Sequence, residues 1–437
     1  MEDLGALPDA GELLLRLRHL GPPVLLDSGG GPPHGRSSVL ALPFGRRLSW
    51  RRGDAGDPFA LLAERLGAAP RVPGAPEYSG GCVALLSYEL RHALEELPGR
   101  HQPLSTLPDL LVIESRVTVV RDEQTGLGRL AVLHGGDNDP AQAELLAQRS
   151  AVLEALQRPL PPMSSVAPTV LEAPDAAAHE ARVRCALEHI RRGDIYQANL
   201  AQHWTLARPA DLLEHHVALR RLNPPSFGAW LEHEGEALLS FSPEEFLHVQ
   251  GAAVRTRPIK GTIARGHTTE EDRQRATELR SSTKDRAELA MIVDILRNDL
   301  ARVCRPGTVR VPSPVDVEVH PTVLHLVAEV TGELRPGLGL VDLLRAAHPG
   351  GSITGAPRIR AMEIIDALEA EARGPYCGSL GWIGCDGSSR FNILIRTLYS
   401  GGGVLHLHAG GGIVLDSDPA AEREETLQKV AALLGQE

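Results

Sequence analysis

Pairs of short apolar runs, joined by turns that contain glycine or proline, recur along this chain and leave few folds open to it. In the second half, ALLSFSPEEFLHVQG and AAVRTRPIKGTIARG read as strands with turns, as do SLGWIG, FNILIRTLYS and GVLHLHAGGGIV. Helical patterns separate them. AHEARVRCALEHIRRG ends at Gly193, TTEEDRQRATELRSSTKDRAELAMIVDILRNDLARV is one helix or two, and PAAEREETLQKVAALLG follows the last strand. The first half carries the strand-like runs VLLDS, SVLALPF, CVALLSYE and LLVIESRVTVVRD, with helical patterns at 57–66 and 139–157. Strands joined by tight turns pair antiparallel, so this order implies an α+β protein with largely antiparallel strands and covering helices.

Residues 156–179 are rich in Pro, Ser and Ala and lack periodicity. They are expected to link an N-terminal region, 1–155, to a second region, 180–437. The opening MEDLGALPDAGELLLRL reads as an amphipathic helix rather than a signal peptide, and no apolar run approaches membrane-spanning length. A net charge of −11 argues against a general nucleic-acid surface. The five cysteines are odd in number and form no CxxC pair, which fits reduced structural thiols in a cytoplasmic protein.

Lysine and arginine together number 45, yet only Lys260, Lys284 and Lys429 are lysine. Arginine serves surface charge equally well, but only an amine can lose its proton and attack carbon. Lys260, between Pro258 and the Gly261–Thr262 pair, therefore calls for a chemical explanation. HPGGSITGAPRIRAMEIIDALE is a glycine-rich turn feeding a helix, with Pro357 suited to the first helical position. It is no phosphate-cradling loop, because Ala356–Pro357 stand where Lys-Ser/Thr would follow. Glu288 heads the stripe Met291, Ile292 and Ile295 and points inward, toward a divalent cation or as half of a capping box with Asp285. Glu422, Glu425 and Lys429 share one helical face, and Glu425 with Lys429 alone would be a solvated i,i+4 pair. Ser242 and Pro243 open a turn before Glu244, where acids suit a helix N-terminus. Asn392 and Arg396 alternate onto one face of a strand, where Arg396 suits a carboxylate ligand or a neighbouring acid.

Taken together, GDIYQANLAQ, SFSPEEFL, TRPIKGT, DRAELAMIVDILRNDLARVCRPGTV, HPGGSITGAPRIRAMEIID, GPYCGSLGWIG, FNILIRT and AGGGIVLDSDPAAEREET resemble the chorismate-binding enzymes throughout the second half. VLLDSGG resembles the family's N-terminal element more loosely. The resemblance implies the anthranilate synthase component I-like fold, with antiparallel sheets packed as a sandwich-like core under helices. The PIKGT form is that of the aminodeoxychorismate synthases, whereas anthranilate synthases usually carry alanine in place of this lysine. By resemblance, Lys260 attacks C2 of the chorismate ring as the C4 hydroxyl leaves with a proton from Glu244, and ammonia then adds at C4 and expels the lysine. The resemblance assigns Mg2+ to Glu288 and Glu425 with Glu422 close by. It assigns substrate contacts to Gly261, Thr262, His325, Thr354, Tyr376, Arg396, Gly410, Gly411, Gly412 and Lys429. Hydrating members of the family carry lysine where Gln197 stands, and glutamine is no base, so water addition is disfavoured. No amidotransferase domain is visible, so ammonia is expected from a separate glutamine amidotransferase subunit, and the product is expected to feed p-aminobenzoate and folate synthesis. Anthranilate formation with release of pyruvate is the alternative, and non-catalytic chorismate binding a more remote one. Arg358, Phe241 and Ala328 depart from the residues common in the family at those positions.

Overall fold

The computed structural model describes residues 1–29, 36–135, 139–160, 163, 168–320 and 323–435. Every strand pair among them is antiparallel, and the two long arms of the sheet fork at Leu110–Asp122. One of its edges pairs with Ser37–Trp50; the other is shared by Gly81–Leu86 and Leu127–Val132. From this fork one arm continues through Val24–Asp27, Gly228–His233, Glu236–Ser240, Thr397–Gly401 and Val404–Ile413 to Gln197–Ala207. The second runs from Gly81–Leu86 through Ser379–Gly384, Ser389–Asn392, Glu245–Gln250 and Ala253–Arg257 to Val323–Glu333. That last strand also pairs with Ile259–Ala264 and Arg310–Val319.

Side chains of both arms meet in the largest hydrophobic core, where Val39, Ala229 and Leu238 of the first join Leu85, Trp382 and Phe391 of the second. The alternate residues of the first arm face helices. Leu40, Leu42, Leu239 and Trp230 pack with Leu13 and Leu14 of helix Ala10–Leu17, Val152 of Gln142–Leu156 and Val217 of Leu212–Leu222. Since successive strand side chains point to opposite faces, a strand buried on both must be apolar throughout, which explains a run such as SVLALPF. The fold is thus α+β with a sandwich-like antiparallel core, as expected.

The two regions share this sheet: Val24–Asp27 pairs with Gly228–His233, and Gly81–Leu86 with Ser379–Gly384. Within the segment 156–179, Val170–Glu172 adds a strand to Gln197–Ala207 and Ala176 begins a helix; residues 161, 162 and 164–167 lie outside the described ones. Two local expectations are corrected. The first residues form a strand, Glu2–Ala6, and the helix begins only at Ala10, where Asp9 accepts from the amides of Gly11 and Glu12. FNILIRTLYS is broken rather than continuous: the Ile393 amide donates to the Glu244 carbonyl, the Leu394 amide donates to the Gly378 carbonyl and the Leu394 carbonyl accepts from the Cys377 amide, so the ladder stops at Asn392 and resumes at Thr397. No helix among the described residues is long and apolar enough to cross a membrane.

Candidate active site

Lys260 enters the site on Ile259–Ala264, where it lies opposite Leu326 and Thr262 lies opposite His325, with a bulge between them. Gly261 makes that bulge at φ 69°, and a Cβ there would fall 3.0 Å from the Asp285 Cγ. Only glycine both takes the left-handed conformation readily and lets helix Thr283–Ala301 lie this close. The Thr262 hydroxyl and His325 Nδ1 are 2.9 Å apart. Burial, reinforced by the charge of Arg396, drives the His325 pKa well below the usual imidazole value, so the ring is neutral.

Gly412 supports the nucleophile from the facing strand. A Cβ at this glycine would lie 3.2 Å from Lys260 Nζ and 2.6 Å from Gln197 Nε2. Gln197 is 1% exposed, and neither atom of its amide has a hydrogen-bond partner. A buried amide left unsatisfied costs about 1–3 kcal/mol, which a bound ligand can offset.

The three lysines of the chain converge on three glutamates. Lys260 Nζ stands 3.5 Å from Glu288, Lys284 Nζ stands 3.9 Å from Glu288 and 3.6 Å from Glu422, and Lys429 Nζ stands 2.8 Å from Glu425. Lys429 also donates to the Gly410 carbonyl at 3.0 Å, and a Cβ at Gly411 would lie 3.1 Å from Glu422 Oε2. Glu288 points inward as expected, but the capping box with Asp285 does not form, because Ser282 is the N-cap and accepts from the Asp285 amide. Burial pushes the Glu288 carboxyl above its ordinary pKa, with Lys260 and Lys284 holding it back. Glu422 is buried and accepts from the Ser417 hydroxyl at 2.7 Å, whereas Glu425 is half exposed and forms its close ion pair with Lys429. Among the described residues no three His, Cys, Asp or Glu side chains converge on one metal position. Two carboxylates meeting over a shared cation do fit Mg2+, which takes one or two carboxylates and completes its shell with water and substrate oxygens.

Glu244 sits at a turn, with its amide donating to the Ser242 hydroxyl, and a strand follows at Glu245, as the reading of ALLSFSPEEFLHVQG implied. It is 5% exposed and accepts a 2.8 Å bond from Ser352. Burial raises its pKa to about 7, against the lowering pull of the Ser352 bond and the Lys260 charge. Near neutral pH this carboxyl can therefore hold and release a proton.

Ser352 belongs to the glycine-rich turn, whose glycines permit packing. A Cβ at Gly351 would meet Ile295 at 2.5 Å, and one at Gly350 would meet Ile393 at 2.8 Å. Thr354 is fully buried, donates to the Gly350 carbonyl and accepts from the Asn199 amide through its own carbonyl. Pro357 is the N-cap of Arg358–Leu368 rather than its first residue. Arg358 ties this turn to Asp299 and to the Ala346 carbonyl. Beneath it, Arg373 bonds Glu369 and the carbonyls of Ile353 and Asn199.

Tyr376 is buried with its ring stacked on His408 at 5.4 Å. Asn392 is a brace: its amide bonds the Leu380 amide and the Phe227 carbonyl. Arg396 is different. It takes φ 50°, burial depresses its pKa, and among the described residues its guanidinium has neither a hydrogen bond nor an ion pair, although its backbone carbonyl accepts from the Phe241 amide. A partnerless guanidinium suits an anionic ligand. Sequence reading did not single out Ser352 and gave Lys284 no role; only the scarcity of lysine carried a signal for the latter. A cavity of about 450 Å³ near Arg71, Val249, Glu333 and Cys385 contains none of the candidate site residues.

The sequence model for chorismate binding enzymes matches residues 43–435. Aminodeoxychorismate synthase component 1 of Klebsiella aerogenes is 40% identical over 389 residues, covering 87% of this chain and 83% of the relative. Anthranilate synthase component 1 of Streptomyces coelicolor is 40% identical over 400 residues, covering 87% and 77%. The crystal structure of anthranilate synthase component I from Streptococcus pneumoniae matches with a TM-score of 0.82 at 27% identity, covering 92% of this chain and 93% of that one.

Proposed function

The chain belongs to the chorismate-binding enzyme family, and from that premise we propose that it converts chorismate and ammonia to 4-amino-4-deoxychorismate through a covalent intermediate on Lys260. The observation that carries this reading is the lysine itself. Its amine is held on a strand bulge, over the bare backbone of Gly412 and beside the unsatisfied amide of Gln197. Two allylic displacements balance the reaction. The free Lys260 amine bonds to C2, both conjugated ring double bonds shift toward C4, and the C4 hydroxyl departs as water with the proton held by Glu244. Ammonia then bonds to C4, the two double bonds shift back, the lysine amine leaves C2, and the proton shed by the new ammonium returns to Glu244. Hydroxide is a poor leaving group, so an acid that is still protonated near pH 7 is the required partner.

Chorismate is a dianion, and Arg396 and Lys429 supply cations for its carboxylates. Glu288 and Glu422 would hold Mg2+, with Glu425 nearby, and the ion would supply positive charge against the ring carboxylate. Ammonia would come from a glutamine amidotransferase subunit, and the product would serve p-aminobenzoate and folate synthesis. All five cysteines are free thiols, which suits the reducing cytoplasm. The anthranilate reading retains the support of a relative at the same 40% identity.

The test is to incubate the protein with chorismate, Mg2+ and an ammonium salt and to identify the product by mass. A 4-amino product retaining the enolpyruvyl group, lost in Lys260→Ala, is expected. Omitting ammonia should leave the ring attached to Lys260 in the intact-protein mass. Anthranilate with pyruvate, undiminished in Lys260→Ala, would overturn the proposal.

A further inference from the structure

Lys284 has no part in the chemistry just described, yet it is the one lysine that touches two glutamates. It stands in the first turn of Thr283–Ala301, 54% exposed, with its ammonium 3.9 Å from Glu288 and 3.6 Å from Glu422. Lys260 approaches the other oxygen of Glu288, and Lys429 is engaged by Glu425 and the Gly410 carbonyl. Three carboxylates and three ammoniums leave the cluster formally neutral. A divalent cation between Glu288 and Glu422 would meet the Lys284 ammonium at contact range, and like charges so close repel. Lys260 is 16% exposed and is required as the nucleophile. Lys284 can leave at little cost, because its hydrated head rides on a flexible four-carbon stem at the surface.

We propose that Lys284 is an exchangeable counter-cation, which neutralises Glu288 and Glu422 in the resting protein and swings into solvent when the divalent cation binds. Exchanging its single charge for two turns the cluster from neutral to singly positive, the sign that a dianionic substrate needs. Cation and substrate are thereby coupled: the free protein resists the cation alone, and the substrate carboxylate rewards the exchange. This inference rests on the assignment of Mg2+ to Glu288 and Glu422.

The experiment is calorimetric titration of the full chain with Mg2+ at fixed ionic strength, without and with chorismate, for wild type, Lys284→Ala, Lys284→Met and Lys284→Arg. Without chorismate, the alanine and methionine variants should bind Mg2+ about 3- to 10-fold more tightly, the size of one or two partly solvated ion pairs. The gain in Mg2+ affinity that chorismate brings should be at least as large as in wild type, because the variant cluster passes from singly negative to singly positive, and the arginine variant, which grips carboxylates more firmly, should bind Mg2+ no more tightly than wild type. Unchanged or weaker Mg2+ binding in the alanine and methionine variants overturns the proposal, and weaker chorismate binding with unchanged Mg2+ affinity would make Lys284 a substrate contact instead. Glu288→Gln and Glu422→Gln are the controls. If Mg2+ binding does not depend on them, the metal assignment itself falls, and this inference with it.

Discussion

Replacing Glu244 with glutamine should make the protein more stable in alkaline solution while disabling it. The carboxyl is 5% exposed, and its pKa rises from 4.5 to about 7, chiefly through burial. A group whose folded pKa lies above its unfolded one contributes stability that is fully present below about 4.5 and is lost as pH rises through about 7. A shift of about 2.5 units, at 1.36 kcal/mol each, amounts to about 3 kcal/mol, of which about 2.5 kcal/mol falls between roughly pH 5 and pH 8. Glutamine keeps the shape and can still accept from Ser352, but it never ionises. Urea unfolding of Glu244→Gln and wild type near both pH values is the assay. The variant should gain about 2.5 kcal/mol on wild type between the two, while amination at neutral pH falls about 10²–10⁴-fold for want of the acid. If the stability difference is the same at both pH values, the carboxyl is not held protonated by its surroundings, and its assignment as proton donor loses its physical basis.

Arg396→Met should raise the KM for chorismate about 10- to 100-fold, the worth of a charge-assisted bond. It should leave the ligand-free protein as stable as before or more so, because the guanidinium has no partner to lose; a clear drop in thermal stability would show an internal role instead. Arg373→Met should cost about 3–5 kcal/mol in urea, since it strands Glu369 in the core. Adding Glu369→Met should restore part of that loss, and a double variant as unstable as the single one would contradict the ion-pair account. Gln197→Lys brings a second ammonium against Lys260 and should cut amination at least tenfold, with water adding in its place; unaltered product and rate in a mass assay would remove Gln197 from the site.

What could be read in the sequence follows from how local each cause is. The strands were legible where both faces are buried, as in SVLALPF, because the apolar run from Val39 to Leu42 is unbroken. FNILIRTL is also rich in apolar residues and misleads, since its ladder is interrupted by backbone bonds to Glu244, far away in sequence, and to Cys377 and Gly378. The N-terminal helix was over-extended for a local reason, as Pro8 and the Asp9 cap mark its start and the preceding residues pair with Leu127–Val132. Lys260 declared itself through the rarity of its residue type. Ser352 has no such mark, because its bond to Glu244 joins segments over a hundred residues apart. Gln197 could be compared with relatives, but that its amide lacks a partner is a property of the assembled strands alone.

The convergence of every lysine on one cluster, in a chain otherwise given to arginine, has a common physical reason. A guanidinium would hold each glutamate with a planar, two-pronged grip and would never lose its proton. At position 260 it could not attack carbon. At position 284 it would grip the carboxylates that a divalent cation must take, and at 429 its fork would not fit the single Gly410 carbonyl already bonded at 3.0 Å. An amine is compact, strongly hydrated and easily detached, so it suits sites where the partner changes during the reaction. Elsewhere the arginines hold static architecture, as Arg373 does beneath the glycine-rich turn and Arg220 does on Asp27. The division of labour between the two cations thus separates the parts of this molecule built to stay from those built to exchange.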